Sequence, residues 1–268
     1  MSKRLGLIAG NGKFPLLFAK KARSQNYQVI AAGIHGDTSF FLKFLVDKMA
    51  MFKVGELEKL FAFFKNEGIK EVIMAGQVNP NNLFDKNVTL NKESQKFFEA
   101  IRDRKADTIF NAIAEKLREN GMELKDSTFL LTEYLAPKGT LTKRGPTLKE
   151  LEDIEFGRQI AKVMGGLDVG QTVVVKDKAI VAIEAMEGTD QTILRGGTIA
   201  REGAVVVKMS KPNQDLRFDI PVIGTRTIET LIKCKAKCLA IESGKTLIID
   251  HEKCVKLANQ NGICLVAA

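Results

Sequence analysis

The sequence predicts an α/β protein of two domains: an N-terminal parallel sheet with helices on both faces, followed by a C-terminal α/β domain. Three observations carry this. Short apolar runs alternate with amphipathic stretches through the first third of the chain, the pattern of strands joined by crossover helices. The segment 136–146, APKGTLTKRGP, holds two prolines, two glycines and three positive charges, and reads as a linker. The length of 268 residues gives each half enough chain to bury its own core. The expected layout is therefore a first domain over 1–135, the linker 136–146, and a second domain over 147–268.

The elements follow in order. Residues 4–10 (RLGLIAG) form an apolar run closed by glycine, and 14–24 have helical spacing with Lys20 and Lys21 outward. Residues 27–34 (YQVIAAGI) read as the next strand, 40–46 as helical and 51–54 as a short strand. Over 56–66, Leu57, Leu60, Phe61, Phe63 and Phe64 are placed on one helical face, and 71–78 (EVIMAGQV) is another buried strand. The charge-rich stretch 92–121 predicts two helices, and 127–135 is strand-like. Beyond the linker, 149–164 and 227–234 predict helices. Residues 172–175, 179–184, 204–207 and 247–250 predict strands.

Composition narrows the functional classes. The net charge is +9, which favours an anionic partner, but the positive residues are scattered in pairs such as Lys20-Lys21 and Lys143-Arg144. With no long basic run, no Trp and only two Tyr, a nucleic-acid binder is disfavoured. The four cysteines fall in the last 35 residues, and Cys234-Lys-Ala-Lys-Cys238 lacks the spacing of a zinc knuckle. They read as thiols of a reducing compartment. The N-terminal apolar run is too short for a signal peptide, and no apolar stretch is long enough to span a membrane. A cytoplasmic protein is expected.

Four segments have the residue types for chemistry. Gly10-Asn11-Gly12 lies between a strand and a helix, where backbone N–H groups and the helix dipole suit phosphate. Pro15 stands where a dinucleotide fingerprint needs its third glycine, and no acid ends the second strand, which argues against a nicotinamide-dependent oxidoreductase. Ala75-Gly76-Gln77-Val78-Asn79-Pro80 ends a buried strand and offers amides to a base, sugar or phosphate. Glu184-Ala-Met-Glu187-Gly-Thr189-Asp190-Gln191 sets carboxylates and a hydroxyl after a strand, the oxygen donors that magnesium accepts. Finally, 208–224 (KMSKPNQDLRFDIPVIG) contains Lys211 and Gln214. Alternation over 216–220 predicts that Arg217 and Asp219 share one face of an extended segment. A solvated turn or a surface ion pair is the plainer reading of each segment taken alone.

Taken together, LGLIAGNGKFP, VIMAGQVNP, LAPKGTLTKRGP, LDVGQTVVV, AIEAMEGTD and KPNQDLRFDIPVIG span nearly the whole chain. In this order they resemble the UDP-2,3-diacylglucosamine pyrophosphatases of lipid A biosynthesis. The resemblance implies two α/β domains, the first Rossmann-like, with substrate between them. It implies hydrolysis of UDP-2,3-diacylglucosamine to UMP and 2,3-diacylglucosamine 1-phosphate with magnesium, or manganese as an alternative. The aspartate of the family's R-x-D-x-P segment is Asp219, with Arg217 beside it as the other catalytic candidate. Asp219, Glu187 and Asp190 are the expected metal ligands. Gly10, Asn11, Gly12, Gly76, Gln77, Thr189, Lys211 and Gln214 are the expected substrate contacts. A basic exterior suits a peripheral place on the inner membrane's anionic face, and the reading is compatible with a homodimer. A nucleotide-sugar-binding protein without catalysis is the alternative.

Overall fold

A computed structural model describes residues 3–79, 95, 99, 101–103 and 105–268. The chain divides into two compact units, Met1–Thr132 with Asp215–Asp219, and Glu133–Gln214 with Ile220–Ala268.

The first unit is built on β1 (Arg4–Ala9), α1 (Phe14–Ser24), β2 (Gln28–Ile34), β3 (Lys48–Phe52), α2 (Leu57–Asn66), β4 (Glu71–Ala75), α3 (Ala106–Glu119) and β5 (Glu123–Leu124). The strands lie in the order β3-β2-β1-β4-β5, and every pair is parallel. Leu5, Leu7, Val29, Ala31 and Ile73 are buried, as a sheet covered on both faces demands. One face packs Ile8, Ile30, Ile34 and Val72 against Leu60, Phe61, Phe64 and Leu117 of α2 and α3. On the other side α1 lies against β1, β2 and β4.

Several expected boundaries shift. Residues 40–44 form one short 3-10 turn, anchored by the Ser39 hydroxyl accepting from Phe41 N–H. β4 stops at Ala75 because Gly76 takes φ +85°, which ends extension. Of the two helices expected over 92–121, α3 accounts for the second; residues 80–94, 96–98, 100 and 104 lie outside the described residues. The strand-like stretch 127–135 is instead a set of turns. Asp126 accepts from both the N–H and the hydroxyl of Thr128 at 2.7 Å and bends the chain at once.

The second unit contains β6 (Gly139–Thr140), α4 (Leu148–Gly166), β7 (Thr172–Lys176), β8 (Ala179–Ile183), α5 (Thr189–Ala200), β9 (Val205–Lys208), β10 (Val222–Ile223), α6 (Thr225–Lys233), β11 (Cys238–Ile241), β12 (Leu247–Ile248), α7 (His251–Gln260) and β13 (Cys264–Ala267). Its main sheet runs β6-β13-β11-β9-β7-β8, with β13, β11 and β9 parallel and the others antiparallel. Strand alternation divides its core in two. Val173, Val175, Val205 and Val207 meet Ile154 and Ala161 of α4, while Val174 and Val206 meet Ile193, Ile228 and Leu231 of α5 and α6. A Cβ at Gly157 would meet Val175 and Val207 at 2.8 Å, so only glycine lets α4 lie this close. The four cysteines are buried and unbridged.

The segment 136–146 corrects an expectation: it is not a free linker. Ala136 is buried, Thr140 pairs with Val266 through β6, and Leu141 N–H donates to Leu265 O. Arg144 then forks onto Glu150 with two contacts of 2.8 Å and donates to the Gly262 and Lys237 carbonyls. Glu150 also closes the capping box of α4 with Thr147. The prolines and glycines punctuate an edge strand and its exit turn.

Candidate functional site

In the first unit the glycine turn and the amide loop come together where the strand order reverses. β1 lies between β2 and β4, and the chain leaves β1 and β4 in opposite crossover directions. That makes their carboxyl ends the switch point at which open α/β sheets bind ligands. Gly10 N–H donates to Ala75 O and Asn11 N–H to Gln77 O, each at 2.8 Å, so the two loops form a short bridge. A Cβ on Gly10 would lie 2.5 Å from Gln77 O. One on Gly76 would collide with Asn11 O and approach Pro15 Cγ to 2.9 Å. Gly12, at φ +87°, has no atom near the place of its missing Cβ. Gly10 and Gly76 therefore let the loops meet, and Gly12 alone keeps an open side for a ligand. Asp37 accepts from Asn79 N–H, and Thr38 donates to Ala9 O, tying the loop after β2 into the same edge.

The segment expected to be extended is a turn within the first unit. Asp215 is its organiser: its carboxylate accepts from Arg217 N–H at 3.0 Å and its carbonyl from Asp219 N–H at 3.1 Å. The same carboxylate pairs with the Arg217 guanidinium, Nη2 lying 2.6 Å from Oδ2. This holds the Asp215 carboxyl below its usual range. Arg217 and Asp219 consequently do not share a strand face, because an aspartate that captures its own backbone favours a turn over extension. The turn is fixed to the unit by Ser127, whose hydroxyl lies 2.7 Å from the Met74 and Arg217 carbonyls, and by Phe218 stacked on Phe110.

In the second unit a buried polar chain gathers at the ends of β8 and β9 and the start of α5. Lys208, 6% exposed, donates to Thr189 Oγ1 at 2.8 Å, and Thr189 donates to Glu184 Oε1 at 2.8 Å. Lys208 also reaches Thr172 Oγ1 at 3.4 Å. The second Glu184 oxygen is buried without a hydrogen-bond partner, 3.8 Å from Lys208 Nζ. Asp190, the residue after Thr189, pairs with Arg226 at 2.8 Å. Burial pushes the Asp190 carboxyl up, against the pull of Arg226 and Lys208. Both α5 and α6 start from glycines, Gly188 and Gly224, with no side-chain cap, which leaves their first N–H groups for other acceptors.

The remaining expected residues fall as follows. Thr189 sits at the centre of this chain of contacts. Lys211 is buried and pairs with Asp168 at 2.5 Å, while its N–H donates to Gln214 Oε1 at 2.8 Å. Glu187 turns to Arg195 at 2.6 Å, with Thr192 at 3.2 Å and the Ala185 N–H at 3.0 Å. Burial alone would raise its carboxyl, but these donors outweigh it and hold it below the usual range. Both Glu187 oxygens are thus committed within the protein, and one Asp190 oxygen is held by Arg226. As arranged, the pair does not fit a preformed magnesium site, and no group of three His, Cys, Asp or Glu able to hold an ion occurs among the described residues. The sequence offered Glu184 only as one oxygen donor of its segment, and left out Lys208, Thr172 and Arg226 as site residues. The Gly224-Thr-Arg226-Thr run after a short strand was a usable signal for Arg226; nothing local marked Lys208 as buried.

Comparison with known proteins places these features in a family. The model of the LpxI N-terminal domain matches residues 4–134, and that of the LpxI C-terminal domain matches residues 137–266. The chain belongs to the LpxI family. Within that family it is 28% identical over 276 aligned positions to the UDP-2,3-diacylglucosamine pyrophosphatase LpxI of Caulobacter vibrioides, covering 97% of this chain and 96% of that protein. Solved structures with partial similarity include the biotin carboxylase domain of a thermophilic 2-oxoglutarate carboxylase bound to ADP, at 12% identity and TM-score 0.27. That alignment covers 75% of this chain and 33% of the other. The corresponding domain dimer from Hydrogenobacter thermophilus gives 12% identity, 75% and 42% coverage, and TM-score 0.29. At such scores these two carry no argument. No helix among the described residues is long and apolar enough to cross a membrane.

Proposed function

We propose that this LpxI-family chain hydrolyses the pyrophosphate bond of UDP-2,3-diacylglucosamine, giving UMP and 2,3-diacylglucosamine 1-phosphate in lipid A biosynthesis. The observation that carries the reading is the near end-to-end similarity to the Caulobacter pyrophosphatase. In chemical terms, water forms a new P–O bond to one phosphorus as the bridging P–O bond breaks. The water's proton passes to a base, and the departing phosphate takes the bond's electrons. Asp219 is the carboxylate proposed to orient that water. In the second unit, buried Lys208 and solvent-exposed Arg226 are proposed to face phosphate oxygens, where fixed positive charge stabilises developing negative charge. Gly12, with its open side, is the proposed point of backbone approach to substrate.

Dependence on magnesium, or manganese, belongs to the same proposal. Glu187 is withdrawn from the ligand set by its arginine, so Asp219 is the proposed protein carboxylate. Substrate oxygens and water would complete the shell, the usual division of labour for this ion. The ion would neutralise the pyrophosphate. A peripheral position on the inner membrane and a homodimer complete the reading. The test is incubation of the pure chain with UDP-2,3-diacylglucosamine and magnesium, with UMP release as readout. Saturable binding without UMP release would leave a non-catalytic nucleotide-sugar-binding protein.

A further inference from the structure

The turn between β2 and β3 displays three large aromatic side chains to solvent. Phe40, Phe41 and Phe44 are 65%, 68% and 62% exposed, whereas Leu42 between them is fully buried and pins the turn to the unit. The rings touch one another. Phe40 lies 6.4 Å from Phe41 and 5.7 Å from Phe44, both edge to face, so the three form one continuous knob. Contiguous exposed apolar surface of this kind marks an interaction site. The charge beside the rings is positive: Asp37, the acid that precedes them in the turn, accepts from the Asn79 N–H at 3.2 Å. Lys43 Nζ stands 3.5 Å over the Phe40 ring and 4.8 Å from that of Phe44. The turn packs against α1, which carries Lys20, Lys21 and Arg23 and no acidic residue, and Arg23 donates to Phe44 O at 3.3 Å. The first carboxylate beyond the turn, Asp47, is turned inward to the Val29 N–H at 2.8 Å.

We propose that Phe40, Phe41 and Phe44, flanked by Lys43 and Arg23, are an interfacial anchor that seats the first unit on an anionic lipid bilayer. Aromatic rings settle at the boundary of headgroups and acyl chains, and lysine stems lie along apolar surface while their ammonium groups reach phosphate. A protein partner would need acidic groups over the same small area, whereas a bilayer of anionic lipid supplies them everywhere. The inference deepens the proposed membrane association and rests on the proposed reaction only for the identity of the lipid substrate.

The test is sedimentation of the full chain with vesicles of phosphatidylcholine alone and of phosphatidylcholine with phosphatidylglycerol. It should bind the anionic vesicles, less so at high salt. Replacing the three phenylalanines by serine should lower partitioning at least about tenfold, and Lys43→Glu by on the order of fivefold or more. Thermal melting confirms that the variants fold; if the triple variant does not, Phe41→Ser and Lys43→Glu carry the test. UMP release from detergent-dispersed substrate should be unchanged in every folded variant. Equal partitioning of variants and wild type overturns the anchor. So does a wild-type dimer that the serine changes make monomeric without any vesicle binding, which would assign the knob to a second copy of the chain. Vesicle binding without UMP release would sink the proposed reaction and leave the anchor standing; UMP release without vesicle binding does the reverse.

Discussion

Two glycines with nearly the same backbone angles should respond very differently to a single methyl group. Gly12 has φ +87° and Gly76 φ +85°, so alanine at either pays about 1–2 kcal/mol for the left-handed conformation. At Gly12 that is the whole cost, since the new Cβ enters open space. At Gly76 it collides with the Asn11 carbonyl and presses Pro15 Cγ at 2.9 Å, and backbone cannot swing aside as a side chain can. Overpacking of this kind adds about 1–3 kcal/mol. Gly76→Ala should therefore lose about 2–5 kcal/mol against about 1–2 for Gly12→Ala. The assay is urea unfolding of both variants, comparing midpoints at unchanged m-value. The larger loss should accompany opening of the Asn11–Gln77 bridge, visible as faster amide exchange at Asn11. Equal destabilisation, or a greater loss at Gly12, would refute the claim that Gly76 serves the loop contact and Gly12 the open side.

Other expectations follow from the same geometry. Asp219→Ala should keep the wild-type melting temperature and lose roughly a hundred- to thousandfold in turnover; wild-type kcat would return Asp219 to a structural role. Lys208→Met should lower kcat/KM for UMP release by at least about tenfold, and an unchanged value would remove Lys208 from phosphate binding. UMP release should stop in excess EDTA and return with magnesium; full activity in chelator would end the metal proposal. Arg144→Ala should cost about 1–3 kcal/mol by leaving the Glu150 carboxylate short of its partner, read as a lower urea midpoint; no change would mean the edge strand holds without it. Asp215 has its carboxyl depressed by Arg217, so its stabilising effect is present above its ordinary value of 3.8 and is lost as pH falls below that through the folded value. Asp215→Asn should thus narrow its stability deficit below about pH 4, and a deficit constant with pH would refute the pairing.

The parallel sheet of the first unit was legible because its strands are buried on both faces and read as unbroken apolar runs, as in RLGLIA and QVIAAGI. The stretch 92–121 was legible as helical but without the bounds of the helix at 106–119, and 149–164 was legible as the helix that runs over 148–166. The segment 216–220 misled because alternation over five residues also fits a turn, and the decisive fact was a side-chain bond from Asp215 to the backbone two residues on. The linker misled for a related reason: β6 is only Gly139–Thr140, too short to announce itself, and its partner β13 comes near the end of the chain.

The sequence by itself determined the class of fold, the family resemblance, and the residues from which a site has to be chosen. Those rest on local periodicity and on motif order, which a linear string displays in full. The tertiary structure decided which of those residues meet. Gly76 faces Asn11 across a strand-order reversal, Lys208 reaches Thr189 from the next strand, and Glu187 is committed to Arg195 within its own neighbourhood. The first two are contacts between segments whose separation is set by chain crossovers and burial, and the third depends on how the helix over 189–200 starts. Whether a carboxylate is open to a ligand or held by an arginine depends on that packing, and no spacing rule along the chain encodes it.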